Sequence, residues 1–155
     1  MFKSGRFVAD RLDELTDAQI QPNGVDLTLG AVYEQVEPGR IGREGKTVGE
    51  RREVEPEDGV YALDSGGYIV EYGDRVVIPE GHVGFLYPRS SLLRNSCMLD
   101  TAVWDAGYEG RGEGLLEVHH PIELDAGARI AQLVLAEAAH DGTYEGSYQG
   151  ENSEI

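Results

Sequence analysis

Hydrophobic and polar positions change their period early in this chain. Phe7, Val8, Leu12 and Leu15 recur at roughly helical spacing behind Ser4, a residue type that caps helices, and predict a short amphipathic helix. From there the period is two. Val25, Leu27 and Leu29 alternate with Asp26 and Thr28 after the turn chemistry of Pro22-Asn23-Gly24, which predicts a half-buried strand. Further β-type runs cover Tyr68 to Tyr72, Arg75 to Ile78, Val83 to Tyr87, Leu115 to Val118 and Ile130 to Leu135, with glycine or proline in nearly every gap. Runs this closely spaced leave no room for the crossover helices of a parallel sheet, so the pattern favours an antiparallel sandwich or barrel and a mainly β fold.

A length of 155 residues fits a single domain with one core. Residues 37–58 are charged and poorly periodic and read as a surface excursion. Residues 141–155 are polar, rich in glycine and tyrosine, and are expected to form a mobile closing tail.

Charge narrows the partners. With 13 Lys+Arg against 29 Asp+Glu, the formal charge is -16, which argues against a nucleic-acid backbone binder. An anionic ligand must enter a locally basic pocket. A 40% hydrophobic fraction is enough for a core, so the acids read as a solvated coat of the kind that suits a halophilic source. Cys97 is the single cysteine, which rules out an intrachain disulfide and reads as a small buried hydrophobe. No apolar run approaches the roughly 20 residues that span a bilayer, and no signal-type segment opens the chain, so a cytoplasmic protein is expected.

Two segments carry candidate chemistry. In Tyr87-Pro88-Arg89-Ser90-Ser91-Leu92-Leu93-Arg94, a strand ends and two hydroxyls precede helix formers, so amides, hydroxyls and a guanidinium can converge on phosphate oxygens. The plainer alternative is that Ser90 or Ser91 caps a short helix and Arg89 pairs on the surface. In Thr101-Ala102-Val103-Trp104-Asp105-Ala106-Gly107-Tyr108-Glu109-Gly110, an apolar run ends in a carboxylate and an aromatic turn. Such a hairpin can read a base with its amides, pack Tyr108 on a sugar and orient water through Asp105. It can equally be an ordinary turn whose aromatics fill the core. His119 and His120 are adjacent, and strand neighbours point to opposite faces, so they do not share a metal.

Taken in order, these two segments, Asn23-Gly24-Val25-Asp26-Leu27 before them and Gly127-Ala128-Arg129-Ile130-Ala131-Gln132-Leu133 after them resemble the dUTPase and dCTP deaminase superfamily. The tail Tyr144-Glu145-Gly146-Ser147-Tyr148-Gln149-Gly150 is similar to the closing segment of the deaminase branch. The resemblance implies a distorted β-barrel or jelly roll, a β-clip, assembling as a homotrimer with sites shared between subunits. It implies that Arg89, Ser90, Ser91 and Gln132 contact a triphosphate, with Arg94 also among the substrate-binding residues. The hairpin from Ala102 through Val103 and Trp104 to Tyr108 would hold base and deoxyribose, Tyr148 and Gln149 would close over them, and Asp26 would support the site. Mg2+ would arrive on the phosphates, since the sequence offers no clustered His or Cys ligands.

Two activities share that family. As a hydrolase, Asp105 would activate water against dUTP, giving dUMP and pyrophosphate, and Ala-Val-Trp-Asp-x-x-Tyr is closer to that form. As a dCTP deaminase, necessarily without the zinc set of cytidine deaminases, Glu117 would act as acid and base, helped by Arg94 and Ser90. The glutamate of the deaminase pattern falls two positions earlier, so the register favours the hydrolase unless a bulge at Gly112 and Gly114 absorbs the shift. A bifunctional enzyme, a non-catalytic nucleotide-binding regulator and an unrelated jelly-roll module are the other readings.

Overall fold

The computed structural model describes residues 1–153; the last two positions of the tail discussed above lie outside them. The chain opens with α1 (Gly5–Ala9) and a single 3-10 turn (Asp17–Gln19), followed by β1 (Ile20–Gln21) and the long β2 (Gly24–Gln35). Short ladders β3 (Arg40–Ile41), β4 (Lys46–Thr47) and β5 (Arg51–Glu53) lead to β6 (Val60–Leu63), β7 (Gly66–Tyr72), β8 (Val76–Val77) and β9 (His82–Pro88). Then come α2 (Ser90–Arg94), β10 (Cys97–Asp100), β11 (Glu109–Gly110), β12 (Glu113–Val118), β13 (Ile122–Asp125) and β14 (Arg129–Glu137).

The main sheet is antiparallel in the order β10-β12-β7-β2-β14-β9, with β1 and β5 extending β2. Its two outer strands curl towards each other, and the Thr101 hydroxyl donates to the Leu86 carbonyl of β9 at 3.1 Å. The result is the nearly closed barrel expected of a mainly β chain. Small hairpins of β6 with β13 and β8 with β11 cover its flanks.

Period-two alternation explains the core. Val25, Leu27, Leu29 and Val32 of β2 are buried, as are Val70 and Tyr72 of β7, Leu116 and Val118 of β12, and Leu133 and Leu135 of β14. β14 breaks the pattern at one point. The register against β2 shifts between Arg129 and Ala131, and both Ile130 and Ala131 turn inward. This bulge moves Arg129 to the outer face it would otherwise leave, beside Asp26 and Gln132.

The amino-terminal helix is shorter than its apolar spacing predicts. The Ser4 hydroxyl caps it by accepting from the Phe7 N–H at 3.3 Å, but the helix stops at Ala9. Leu12 still reaches the core through a turn closed by the Leu12 N–H on the Ala9 carbonyl. Of the run from Arg75 to Ile78, only Val76 and Val77 form a strand.

Candidate active site

The segment after β10 folds into a loop bridged to β9, where Trp104 exchanges backbone hydrogen bonds with Gly84 at 2.8 and 3.1 Å. Its turn is made by Gly107, whose φ of +84° is readily available only to glycine and whose position leaves no space for a Cβ beside Thr143. Trp104 and Tyr108 are buried, meeting edge to face at 4.9 Å between ring centroids, and Tyr144 continues the same arrangement against Tyr108 at 5.5 Å.

These rings line a pocket of about 250 Å³. The hairpin contributes Ala102, Val103, Trp104, Asp105 and Tyr108; β5 and β12 contribute Arg51 and Glu113; the tail contributes Tyr144, Tyr148 and Glu151. Ala102, Val103 and the Asp105 side chain lie exposed at its rim. Opposite them, Nη1 of Arg51 donates to both carboxylate oxygens of Glu113 at 2.8 Å. The pocket thus combines aromatic rings with the Arg51–Glu113 ion pair, a lining that suits a nucleoside with an apolar ring face and polar edge.

The tail is docked on this hairpin. The Tyr144 N–H donates to the Ala106 carbonyl at 2.7 Å, and the Gly150 N–H to the Glu109 carbonyl at 2.7 Å. The Gln149 amide spans the turn, donating to the Gly107 carbonyl at 2.8 Å and accepting from the Glu109 N–H at 3.0 Å. The Tyr108 hydroxyl donates to Oε1 of Glu151 at 2.8 Å. Burial pushes the Tyr108 phenol far above its ordinary pKa, and the Glu151 carboxylate adds to the shift. Burial likewise raises the Glu151 carboxyl, with the Tyr108 hydrogen bond opposing it. Tyr148 stacks under the Lys46 ammonium, 4.1 Å from its ring centroid, so the excursion of residues 37–58 also holds the tail.

A second group gathers where β9 gives way to α2. Asp26 is buried on the outer face of β2, and its Oδ2 receives Nε of Arg89 at 3.1 Å, Nη1 of Arg129 at 3.2 Å and Nε2 of Gln21 at 3.0 Å. Burial raises the Asp26 carboxyl despite the opposing pull of Arg89 and Arg129. Gln132 pairs directly across from Asp26. Ser90, Ser91 and Arg94 are exposed on α2, whose N-cap is Arg89 with no side-chain capping bond, so the plainer capping role for Ser90 or Ser91 is not found.

The two groups are separate within one chain. From Gly84, which the hairpin meets, to Pro88 is four residues of strand, about 13 Å at 3.3 Å per residue. None of Arg89, Ser90, Ser91, Arg94 or Gln132 lines the aromatic pocket. Glu117 does not line it either. Its side chain is 44% exposed on the outer face of β12 and lies 3.4 Å from His119. Glu113 to Val118 pair with Glu71 to Gly66 in unbroken register, so the bulge considered at Gly112 and Gly114 is not there. Both glycines serve space instead. A Cβ on Gly112 would sit 2.3 Å from the Trp104 ring, and one on Gly114 2.4 Å from the Tyr72 hydroxyl. Leu115, two positions before Glu117, occupies the place where the deaminase pattern has its glutamate, and it is apolar.

Arg51, Glu113 and Glu151 carry no sequence pattern that sets them apart. Arg51 lies in a stretch without periodicity and the two glutamates are among 29 acids. Among the described residues no cluster of three or more His, Cys, Asp or Glu side chains could hold a metal, and no helix is long and apolar enough to cross a membrane. Cys97 is buried, and burial raises its thiol pKa, as a structural cysteine requires.

The barrel, the hairpin pocket and the guanidinium group define a nucleotide-handling β-barrel, and the chain belongs to the dCTP deaminase-like family, whose match covers residues 2–138. It is 58% identical to the probable deoxyuridine 5'-triphosphate nucleotidohydrolase of Halobacterium salinarum over 160 residues, covering 99% of this chain and 97% of the relative. A relative of the same description from Aeropyrum pernix is 43% identical over 157 residues, covering 97% and 99% of the two chains. Among solved structures, the 2'-deoxycytidine 5'-triphosphate deaminase from Agrobacterium tumefaciens superposes with a TM-score of 0.65 at 22% identity. That superposition covers 88% of this chain and 48% of the deaminase, so the chain spans about half the length of that protein and shares its fold.

Proposed function

We propose that this chain is a dUTP diphosphatase, hydrolysing dUTP to dUMP and pyrophosphate in the cytoplasm. The observation that carries the reading is the exposed Asp105 carboxylate at the rim of a pocket walled by Trp104 and Tyr108, in a chain whose archaeal relatives are named for that hydrolysis. Uracil and deoxyribose enter the pocket, where the Tyr108 ring disfavours a ribose 2'-hydroxyl. Asp105 orients a water and takes its proton as the water oxygen bonds to the α-phosphorus, while the bond from that phosphorus to the β-phosphate oxygen breaks. Arg89, Ser90, Ser91, Arg94 and Gln132 hold the triphosphate chain, and Asp26 keeps Arg89 in place. Tyr148 and Gln149, with the rest of the tail, close over the nucleoside.

Magnesium fits as a companion of the substrate. The pocket presents hard carboxylate oxygens but no cage, and Mg2+ commonly binds through one or two carboxylates plus substrate phosphates. When bound it supplies neutralisation of phosphate charge. Because the triphosphate group and the nucleoside pocket stand apart within one chain, a homotrimer whose neighbouring subunits complete each site accounts for both.

The deaminase alternative, alone or combined with hydrolysis, requires Glu117 at the base. The outward position of Glu117 and the apolar Leu115 speak for the hydrolase. The test is to incubate the protein in high salt with magnesium and either dUTP or dCTP, then separate nucleotides, pyrophosphate and ammonia. dUMP and pyrophosphate from dUTP are expected, with no ammonia from dCTP, and Asp105→Asn should lower turnover at least about 100-fold. Ammonia from dCTP that disappears in Glu117→Gln would replace this reading by the deaminase. Tight nucleotide binding without any product would leave a regulator.

A further inference from the structure

The cluster at Asp26 contains one cation more than its carboxylate needs. Arg89 and Gln21 already supply a charge and a neutral donor to Oδ2, yet Arg129 adds a second guanidinium to the same oxygen. Burying a carboxylate against two guanidiniums is not an economical way to stabilise a fold, because each ion loses hydration. The arrangement also depends on the β14 bulge, which turns Arg129 to the outer face. Bulges of this kind re-aim side chains, and this one aims a cation at the residues already assigned to the triphosphate.

Three observations connect Arg129 with those residues. The Arg89 N–H donates to the carbonyl of Ile130 at 2.9 Å, so the two arginines sit on locked neighbouring backbones. Their donor nitrogens lie 3.1 and 3.2 Å from one oxygen, so the two forks can be no more than about 6 Å apart at that point, a separation that adjoining phosphates can bridge. Arg129 and Ser91 line the same open groove beside α2. Each guanidinium spends only part of its donor set: Arg89 meets Asp26 through Nε as an ion pair, while Arg129 donates Nη1 to Asp26 and to the Ala18 carbonyl. Both side chains remain about one-third exposed, at 33% and 34%. In a chain of charge -16 the two guanidiniums concentrate positive charge and unspent N–H groups on one carboxylate oxygen, although Asp64 and Glu123 line the same groove.

We propose that Arg129 is a second polyphosphate-binding guanidinium, held parallel to Arg89 by their shared contact with Asp26, so that the pair grips adjoining phosphates of the substrate. Asp26 is the positioning residue of this pair and does not itself touch the ligand. The assignment rests on the dUTP reading for the identity of the substrate, but its ligand class, a linear polyphosphate, can be tested without it.

The test is calorimetric titration of the full-length protein with inorganic tripolyphosphate, with a non-hydrolysable imido analogue of dUTP and with deoxyuridine, alongside thermal melting. Arg129→Gln is expected to weaken tripolyphosphate and the analogue about tenfold or more, to leave deoxyuridine within about twofold, and to reduce the salt dependence of analogue binding. Unchanged binding of both phosphate ligands overturns the proposal, as does an equal loss for deoxyuridine, which would mark a merely structural residue. Should Arg129→Gln fail to fold, Arg129→Lys decides: it keeps a cation on Asp26 but has no fork, so a folded protein with weakened tripolyphosphate supports the proposal and one with wild-type affinity overturns it. Wild-type protein that ignores tripolyphosphate also overturns it. Arg129-dependent tripolyphosphate binding in a protein that leaves dUTP intact would instead overturn the hydrolase reading alone.

Discussion

At the scale of single residues, the site depends on what is missing as much as on what is present. Trp104 lies against Gly112, where any side chain would meet its ring at 2.3 Å and the Tyr108 hydroxyl at 3.0 Å. The ring is itself held by backbone bonds to Gly84 and by the Tyr72 and Tyr108 rings, so it has nowhere to retreat. Gly112→Ala is therefore expected to destabilise the protein by about 1–3 kcal/mol, the usual cost of overpacking. It should also weaken deoxyuridine binding. Trp104 is the single tryptophan, so a shift of intrinsic fluorescence together with a lowered melting temperature checks this directly. An unchanged spectrum and melt would mean that the ring does not define the pocket wall. The sequence makes Gly112 visible as turn chemistry, and a bulge is a fair reading of Gly-x-Gly. It gives no way to see that the glycine accommodates an indole eight residues before it.

At the scale of elements, period-two alternation was enough to find the central strands, because each buries one face against a common core. Val25, Leu27 and Leu29, or Leu133 and Leu135, could not be placed otherwise without exposing apolar surface. The segments that complete the pocket carry no such signature. β5 brings Arg51 to Glu113 from a charged excursion, and the tail brings Glu151 to Tyr108; both interactions are polar and long-range, without periodicity. The tail latch has a pH dependence of definite sign. The Glu151 carboxyl is raised when docked, chiefly by burial, so the docked tail binds a proton more readily than a free one. Docking gains stability from that proton below the ordinary glutamate value of 4.5 and loses it as pH rises through the raised docked value. Amide exchange across residues 144–153 should accordingly quicken over that interval beyond its intrinsic pH dependence. Glu151→Gln keeps an acceptor for the Tyr108 hydroxyl and removes the buried charge, so it should flatten the profile. A profile as steep in the variant as in the wild type would assign the pH dependence to Glu71 instead, whose carboxyl burial also raises.

At the scale of the whole molecule, one chain keeps the aromatic pocket and the guanidinium cluster apart, near opposite ends of β9. The aromatic pocket with Asp105 is built by the hairpin and tail at one end of β9, and Asp26, Arg89, Gln132 and Ser91 surround the other end. A closed ring of identical chains can bring the two halves together only across an interface, one from each neighbour. Sharing of that kind would be invisible to periodicity, since a strand pattern reports which face is buried and not which chain buries it. It predicts complementation. Arg89→Gln and Asp105→Asn chains, each inactive alone, should regain activity when unfolded together in equal amounts and refolded. Random mixing leaves about one site in four with both native halves, so close to a quarter of wild-type turnover is expected, with a sedimenting mass three times that of the chain. Sites formed within one chain would show no recovery in the same mixture, since every chain would carry one lesion in its own site. Recovery without a trimeric mass would keep the sharing of sites and change only the number of subunits that share them.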